Sequence, residues 1–98
     1  MIKHLIVFNI REDATHEECI EMLEKGKRVL SEIPGVLGVT YGTAVAENAK
    51  YKYTIAVDFR DRSVIETYRD HPIHVEFADE HFRPMAVDRI TTDYEIHE

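Results

Sequence analysis

Residues 68–74, Tyr-Arg-Asp-His-Pro-Ile-His, contain the break around which the rest of the chain is arranged. The residue before a proline is disfavoured in the helical region, so a helix that carries Tyr68 should end just before Pro72. Pro72 suits the first position of a new helix, because its missing N–H would be unpaired there in any case. The stretch therefore predicts two short helices in succession, with Tyr68 near the end of the first and His74 in the first turn of the second.

Tyr68 and His74 are candidates for acid/base chemistry. Unpaired N–H groups and the helix dipole disfavour an imidazolium in a first turn, so we expect His74 to be neutral near pH 7. A neutral histidine can act as a general base, and Tyr68 could present its hydroxyl to the same space. A structural interpretation stays open, in which Tyr68 is a half-buried aromatic residue and His74 lies on the surface.

The pattern on either side of this break predicts four strands and one longer helix. Alternation of apolar residues indicates strands at 2–10, 36–45, 51–59 and 87–96. A capping box at Thr15 and Glu18 begins a helix that runs to about Ile33. Its predicted buried stripe comprises Cys19, Met22, Leu23, Gly26, Leu30 and Ile33.

The order of these elements predicts the fold class. Residues 1–98 should form a single α+β domain, a ferredoxin-like sandwich in which helices cover one face of a four-stranded antiparallel sheet. The opposite sheet face is expected to be too apolar for contact with water, which predicts a homodimer through that face. The residues assigned to it are Leu5, Val7, Val39, Tyr41 and Ala56.

Composition excludes several classes of partner. A net charge of −7, with no basic stripe, disfavours nucleic acid. No apolar run approaches the roughly 18 residues that cross a bilayer, and no signal peptide is apparent, so no membrane contact and a cytoplasmic location are expected.

Cys19 is the only cysteine and is expected in the core. His71, His74 and His81 are candidate metal ligands, but the spacing of the last two is too wide for one ion, so no metal is expected.

Four motifs resemble those of the stress-responsive A/B barrel domain (Dabb) family of dimeric α+β barrels. They are Ile-Lys-His-Leu-Ile-Val-Phe at 2–8, Ile-Pro-Gly-Val at 33–36, Tyr-x-x-His-Pro-x-His at 68–74 and Asp-Tyr at 93–94. Each is weak alone, but their order spans almost the whole chain. The resemblance implies a barrel in which the sheets of two subunits pack face to face.

The resemblance also implies a site. In a cofactor-free polyketide cyclase similar to this family, the tyrosine and the last histidine of the third motif carry the chemistry, and they fall on Tyr68 and His74. A histidine in the first strand, here His4, lines the same pocket between helices and sheet. The implied apolar lining is Ile6, Phe8, Met22, Leu23, Ile55 and Phe77. Tyr53 and Gly26 replace a histidine and a tyrosine of the cyclase, and Arg89 and Thr91 replace apolar residues, so the pocket should differ in shape and polarity.

Two functions follow from these residues. In the first, the protein binds a small apolar or phenolic molecule between helices and sheet, without an assigned reaction. In the second, it is a cofactor-free enzyme in which His74 removes a proton and Tyr68 holds the developing oxyanion, with His4 and Tyr53 orienting the substrate. Aldol cyclisation and cofactor-free monooxygenation are both compatible with the second function. No cofactor is expected in either.

Overall fold

The strands and helices follow one another along the chain in the order that the sequence predicts. The computed structural model describes residues 1–98. The strands form one antiparallel sheet in the order β2-β3-β1-β4, so β1 lies between β3 and β4. The elements are β1 (Ile2–Ile10), α1 (His16–Leu30), β2 (Val36–Thr43), β3 (Tyr53–Phe59), α2 (Ser63–Asp70), α3 (Pro72–Phe77), a π turn (Ala78–Phe82) and β4 (Ala86–Glu95). This arrangement is the ferredoxin-like α+β fold that the sequence predicts.

Some predicted boundaries were wrong by one to three residues. β2 ends at Thr43 rather than Val45, which is fully exposed, and β3 begins at Tyr53 rather than Tyr51. α1 ends at Leu30 rather than near Ile33. The side-chain pattern continues beyond these ends, and isolated backbone bonds such as that from the Ala44 N–H to the Lys52 carbonyl extend past them, so the pattern alone does not locate the last regular residue.

The hydrophobic core lies between the helices and one face of the sheet. Phe8 and Phe59 are fully buried on that face, and Leu23 of α1 is fully buried against it. The predicted capping box is confirmed: Thr15 Oγ1 accepts from the Glu18 N–H, and the Glu18 carboxylate accepts from the Thr15 N–H. The two reciprocal bonds satisfy donors that the first turn of a helix would otherwise leave unpaired.

The prediction that Val39 and Tyr41 lie on the outer sheet face was wrong. Val39 pairs with Val57 and Tyr41 with Ile55, so all four side chains point to the helix-covered face, and Val39 is 5% exposed. The register of β2 shifts between Val36 and Gly38. One extra residue reverses the inward and outward alternation, which a strict period of two cannot anticipate.

The outer sheet face remains apolar despite this correction. Leu5 pairs with Ala56 there, and Val7 pairs with Ile90, which is 51% exposed. Tyr94 lies opposite Lys3 on the same face and is 47% exposed. An apolar surface on a sheet is typical of a face that contacts another protein surface. None of the helices is both long enough and apolar enough to span a bilayer.

Candidate functional site

The helix break at Pro72 forms as predicted and places His71 in a structural role. α2 ends at Asp70, and His71 has the extended backbone that precedes a proline, with φ −68° and ψ 134°. His71 is also the N-cap of α3, because its Nδ1 accepts a hydrogen bond from the Ile73 N–H at 3.1 Å. This bond fixes the angle between α2 and α3, which brings Tyr68 and His74 together.

His74 has the tautomer that a general base requires. Its Nδ1 lies 2.9 Å from the Arg69 carbonyl oxygen, which can only accept, so Nδ1 carries the proton and Nε2 keeps its lone pair. Burial lowers the pKa of His74, and the nearby charges of His4 and Arg83 lower it further, whereas the bond to Arg69 and the Asp79 carboxylate oppose the shift. The neutral ring expected from the sequence is therefore favoured, but chiefly by burial.

Tyr68 is the central residue of the cluster. It is 4% exposed, its ring centroid lies 4.4 Å from that of His74, and it also packs against Phe59 at 4.8 Å. Burial raises the pKa of Tyr68 well above its ordinary value, and the negative charge of Asp93 adds to the shift. The phenol consequently stays protonated near neutral pH and can donate a hydrogen bond to an oxygen that gains negative charge.

His4 completes the cluster from β1. Its ring lies 5.6 Å from Tyr68 and stacks at 5.6 Å on Phe59. Its Nδ1 is 2.6 Å from the Asp93 carboxylate on β4, the residue directly opposite it in the ladder. Because the carboxylate can only accept, Nδ1 is the donor in this bond, and the aspartate orients the histidine ring. The sequence singled out Asp93 only as part of a motif, without a role in the site.

A narrow inner cavity of about 30 Å³ lies beside Tyr68 and His74, between helices and sheet. A cavity of this size has room for about two water-sized groups. Three of the predicted lining residues, Ile6, Ile55 and Phe77, border it. The other lining residues are Leu30, Val57, Ala78 and Phe82.

Gly26 allows the Phe77 ring, which borders the inner cavity, to pack directly on α1. A Cβ atom at Gly26 would lie 2.6 Å from Cζ of Phe77, because the Phe77 ring packs directly on the helix backbone there. From the sequence we expect only that Gly26, in place of a tyrosine of the cyclase, changes the shape of the pocket. The ring of Phe77 fills the space, so Gly26 shapes the cavity indirectly.

Four other residues assigned to the pocket lie elsewhere in the core. Phe8, Met22 and Leu23 are buried but do not border the cavity beside Tyr68. Tyr53 pairs with Phe8, four residues along β1 from His4, which is about 13 Å at strand spacing. Its hydroxyl lies 2.8 Å from Nδ1 of His16, a contact that fastens the start of α1 to the sheet.

An outer cavity of about 170 Å³, here called the mouth, adjoins the inner one. The two cavities share Ile6, His74, Ala78 and Phe82. The π turn supplies part of its rim, since the wider turn is closed by the bond from the Arg83 N–H to the Ala78 carbonyl. The remaining lining residues are His4, Arg83, Arg89 and Thr91. The sequence predicts that Arg89 and Thr91 change the polarity of the pocket, but it does not predict Arg83, whose approach depends on the tertiary fold.

The histidines considered as metal ligands have other partners. His71 caps α3, His74 donates to Arg69, and the His81 ring stacks on Phe77 with a centroid distance of 6.1 Å. No group of three or more His, Cys, Asp or Glu side chains converges in a way that could hold a metal ion.

Known proteins similar to this chain include an enzyme and proteins of unknown function. Olivetolic acid cyclase of Cannabis sativa is 30% identical over 81 residues, which cover 80% of each chain. A Dabb family protein with a ferredoxin-like fold from Mesorhizobium loti is 26% identical, covers 99% of this chain and 97% of its own, and has a TM-score of 0.84. A dimeric ferredoxin-like protein of unknown function from Thermobifida fusca is 20% identical and has a TM-score of 0.82. The match covers 97% of this chain and 90% of that protein.

More distant structures show that the fold is used for different reactions. A hydroxynitrile lyase and a cofactor-independent oxygenase share the fold at 15% and 10% identity, which indicates the fold alone. The family model described as Stress responsive A/B Barrel Domain matches residues 2–96, almost the full length. The chain therefore belongs to the stress responsive A/B barrel domain family.

Proposed function

We propose that this protein binds a small apolar or phenolic molecule between helices and sheet, with its reactive group beside Tyr68 and His74. The observation that carries the proposal is the contact of Tyr68, which borders the inner cavity, with His74, which borders both the inner cavity and the mouth. The inner cavity has room only for a small substituent, so the body of the ligand would occupy the mouth. Ile6, Phe82 and Ala78 supply apolar contact in both cavities.

Catalysis at this site is the second function, and the protonation states of His74 and Tyr68 favour it. A neutral His74 with a free Nε2 can accept a proton, and a protonated Tyr68 can stabilise an enolate or alkoxide oxygen by donating to it. The likeness to olivetolic acid cyclase supports a cyclisation at this site. The Asp93 and His4 pair would orient the substrate or pass a proton.

The reaction that fits these roles is an intramolecular aldol cyclisation. His74 Nε2 takes a proton from the carbon next to a carbonyl, and the resulting enolate carbon bonds to a second carbonyl carbon of the same chain. The new alkoxide then receives the proton from the imidazolium, so the reaction is redox-neutral and needs no cofactor. The alternative, oxygenation of a phenol, would begin with transfer of the phenol hydroxyl proton to His74 Nε2 and would consume dioxygen as the oxidant.

The test compares wild-type protein with Tyr68→Phe and His74→Ala in a screen of phenolic and linear polyketide compounds. Thermal shift reports binding, while product analysis and an oxygen electrode report cyclisation and oxygenation. His97→Ala is the matched control, since His97 is exposed at the end of the chain. Turnover that both site variants lose and the control keeps would support catalysis. Stabilisation without turnover, equal in all variants, would refute the catalytic assignment.

We also propose that the chain forms a homodimer through the outer sheet face. Leu5, Val7, Ala56, Ile90 and Tyr94 make that face apolar, and the Thermobifida fusca protein of the same fold is dimeric. A lysine at position 7 would place a charge within such an interface. Val7→Lys should therefore produce a monomer in analytical ultracentrifugation. Glu21→Lys, which places a lysine on the exposed side of α1, is the control and should stay dimeric. A monomeric wild-type protein would refute the proposal.

A further inference from the structure

The charge of the mouth is opposite to that of the whole protein. The chain carries a net charge of −7, yet the mouth is lined by Arg83 and Arg89 together with two histidines. No carboxylate is among its lining residues, although Asp93 is paired with the lining residue His4 and Asp79 with the lining residue Arg83. A concave site lined by one sign of charge concentrates ligands of the opposite sign. This contrast indicates a ligand that carries negative charge.

Arg89 reaches the mouth from the sheet. It pairs with Phe8, as Thr91 pairs with Ile6 two residues further along β4, so both side chains point to the helix-covered face. The Nη1 atom of Arg89 donates to the Ala86 carbonyl oxygen at 2.8 Å. Because that partner is neutral, the bond holds the guanidinium in place without compensating its charge.

Arg83 reaches the mouth from the other side, immediately after the π turn. Its guanidinium is ion-paired with Asp79, and both side chains are about half exposed. Such an exposed pair contributes little stability and can rearrange when an anion arrives. Arg89 therefore offers the stronger anchor, and Arg83 a second donor across the mouth.

We propose that the ligand is a carboxylic acid, whose carboxylate Arg89 and Arg83 bind at the mouth while its apolar part reaches toward Tyr68 and His74. This inference rests on the proposed function and adds the chemical class of the ligand. The planar fork of a guanidinium matches the two oxygens of a carboxylate, and the Thr91 hydroxyl provides a further donor nearby. An aromatic acid or a β-keto acid of about the size of benzoate fits this description.

Anchoring by the carboxylate would also give the ligand a fixed direction. The anion lies at the open end, so the opposite end of the molecule enters the apolar inner cavity between Ile6 and Phe77. A reactive carbonyl or phenol between these ends then lies next to the Tyr68 hydroxyl. Orientation of this kind raises the effective concentration of the reacting group at the catalytic residues.

Isothermal titration with benzoate, benzamide and phenyl phosphate tests the proposal. Benzamide has the shape of benzoate without its charge, and phenyl phosphate carries a different anion. The site variants are Arg89→Gln and Arg83→Gln. Arg28→Gln is the matched control, because it removes the same charge from the exposed side of α1.

We expect benzoate to bind wild-type protein at least about tenfold more tightly than benzamide, as hydrogen bonds to a charged group imply. Arg89→Gln should remove most of this preference, Arg83→Gln should reduce it, and Arg28→Gln should preserve it. Equal binding of benzoate and benzamide, unaffected by Arg89→Gln, would overturn the carboxylate anchor and leave the proposed binding site intact. Phenyl phosphate binding tenfold more tightly than benzoate would also overturn it. Absence of binding by all three compounds would refute this inference, whereas the small-molecule site itself is refuted only if the phenolic and polyketide compounds also fail to bind.

Discussion

Replacing Gly26 by alanine tests whether close packing of Phe77 on α1 sets the shape of the site. The new Cβ would lie 2.6 Å from Cζ of Phe77, and 3.1 and 3.2 Å from its Cε1 and Cε2. Phe77 is only 5% exposed, and it packs near Phe82 with a centroid distance of 6.4 Å. The ring therefore cannot move without disturbing the core or the inner cavity that it borders.

Two effects of opposite sign determine the size of the change. Alanine in place of glycine within a helix stabilises it by about 1 kcal/mol. Overpacking a filled core costs about 1–3 kcal/mol. We expect the steric term to prevail at Gly26, with a net loss of about 1 kcal/mol in the free energy of unfolding, or about 4–8 °C in Tm for a domain of this size.

Urea denaturation at fixed protein concentration measures this change, because oligomer formation would make the stability concentration-dependent. A double-mutant cycle with Phe77→Leu supplies the control. Leucine removes the atoms nearest to the new Cβ, so Gly26→Ala should be less harmful, or stabilising, in that background. A gain of about 1 kcal/mol from Gly26→Ala alone would contradict the steric reasoning, because only the helix propensity would then have acted.

Three further predictions concern the helix break, the buried histidine and the cysteine. His71→Ala removes the acceptor for the Ile73 N–H and should lower the free energy of unfolding, measured by urea titration, by about 1 kcal/mol. His71→Asn should lose much less stability, because asparagine is a good N-cap. Burial lowers the pKa of His74 in the folded protein below 6.5, so the unfolded chain binds a proton at this residue more readily than the folded chain does. The contribution of His74 to stability should therefore be lost as the pH falls below about 6.5. When the pH is lowered from 7.5 to 5.5, the Tm of His74→Gln should accordingly fall less than the Tm of the wild type. An equal fall in Tm would contradict the assignment. Burial raises the pKa of Cys19 to about 11, and the residue is 0% exposed, so a thiol reagent should label it only after denaturation. Rapid labelling of native protein would contradict this burial.

The predicted helix break and capping box were correct because both depend on local chemistry. Pro72 restricts its own backbone and that of His71, and the exchange of hydrogen bonds between Thr15 and Glu18 occurs within one turn. Neither feature needs information from distant residues. Strand identity in β1 was equally accessible, because a clear alternation of apolar side chains marks it.

The site was only partly accessible from the sequence. Tyr68 and His74 are close along the chain, and the structure places their rings in contact. His4 and Asp93 are 89 residues apart, and they meet because β1 and β4 are neighbours with a particular register. The Arg69 carbonyl that fixes the tautomer of His74 depends on the angle between α2 and α3, which no periodic pattern reports.

The sequence by itself determined the order of the elements, the fold class and the helix break that brings Tyr68 to His74. Only the tertiary structure decided which face Val39 occupies, what fills the space at Gly26, and which arginines border the mouth. The physical reason is the range of the forces involved. Backbone restrictions, capping bonds and hydrophobic periodicity act within a few residues, whereas strand register and side-chain packing depend on residues that are distant in the sequence and meet only in the folded chain.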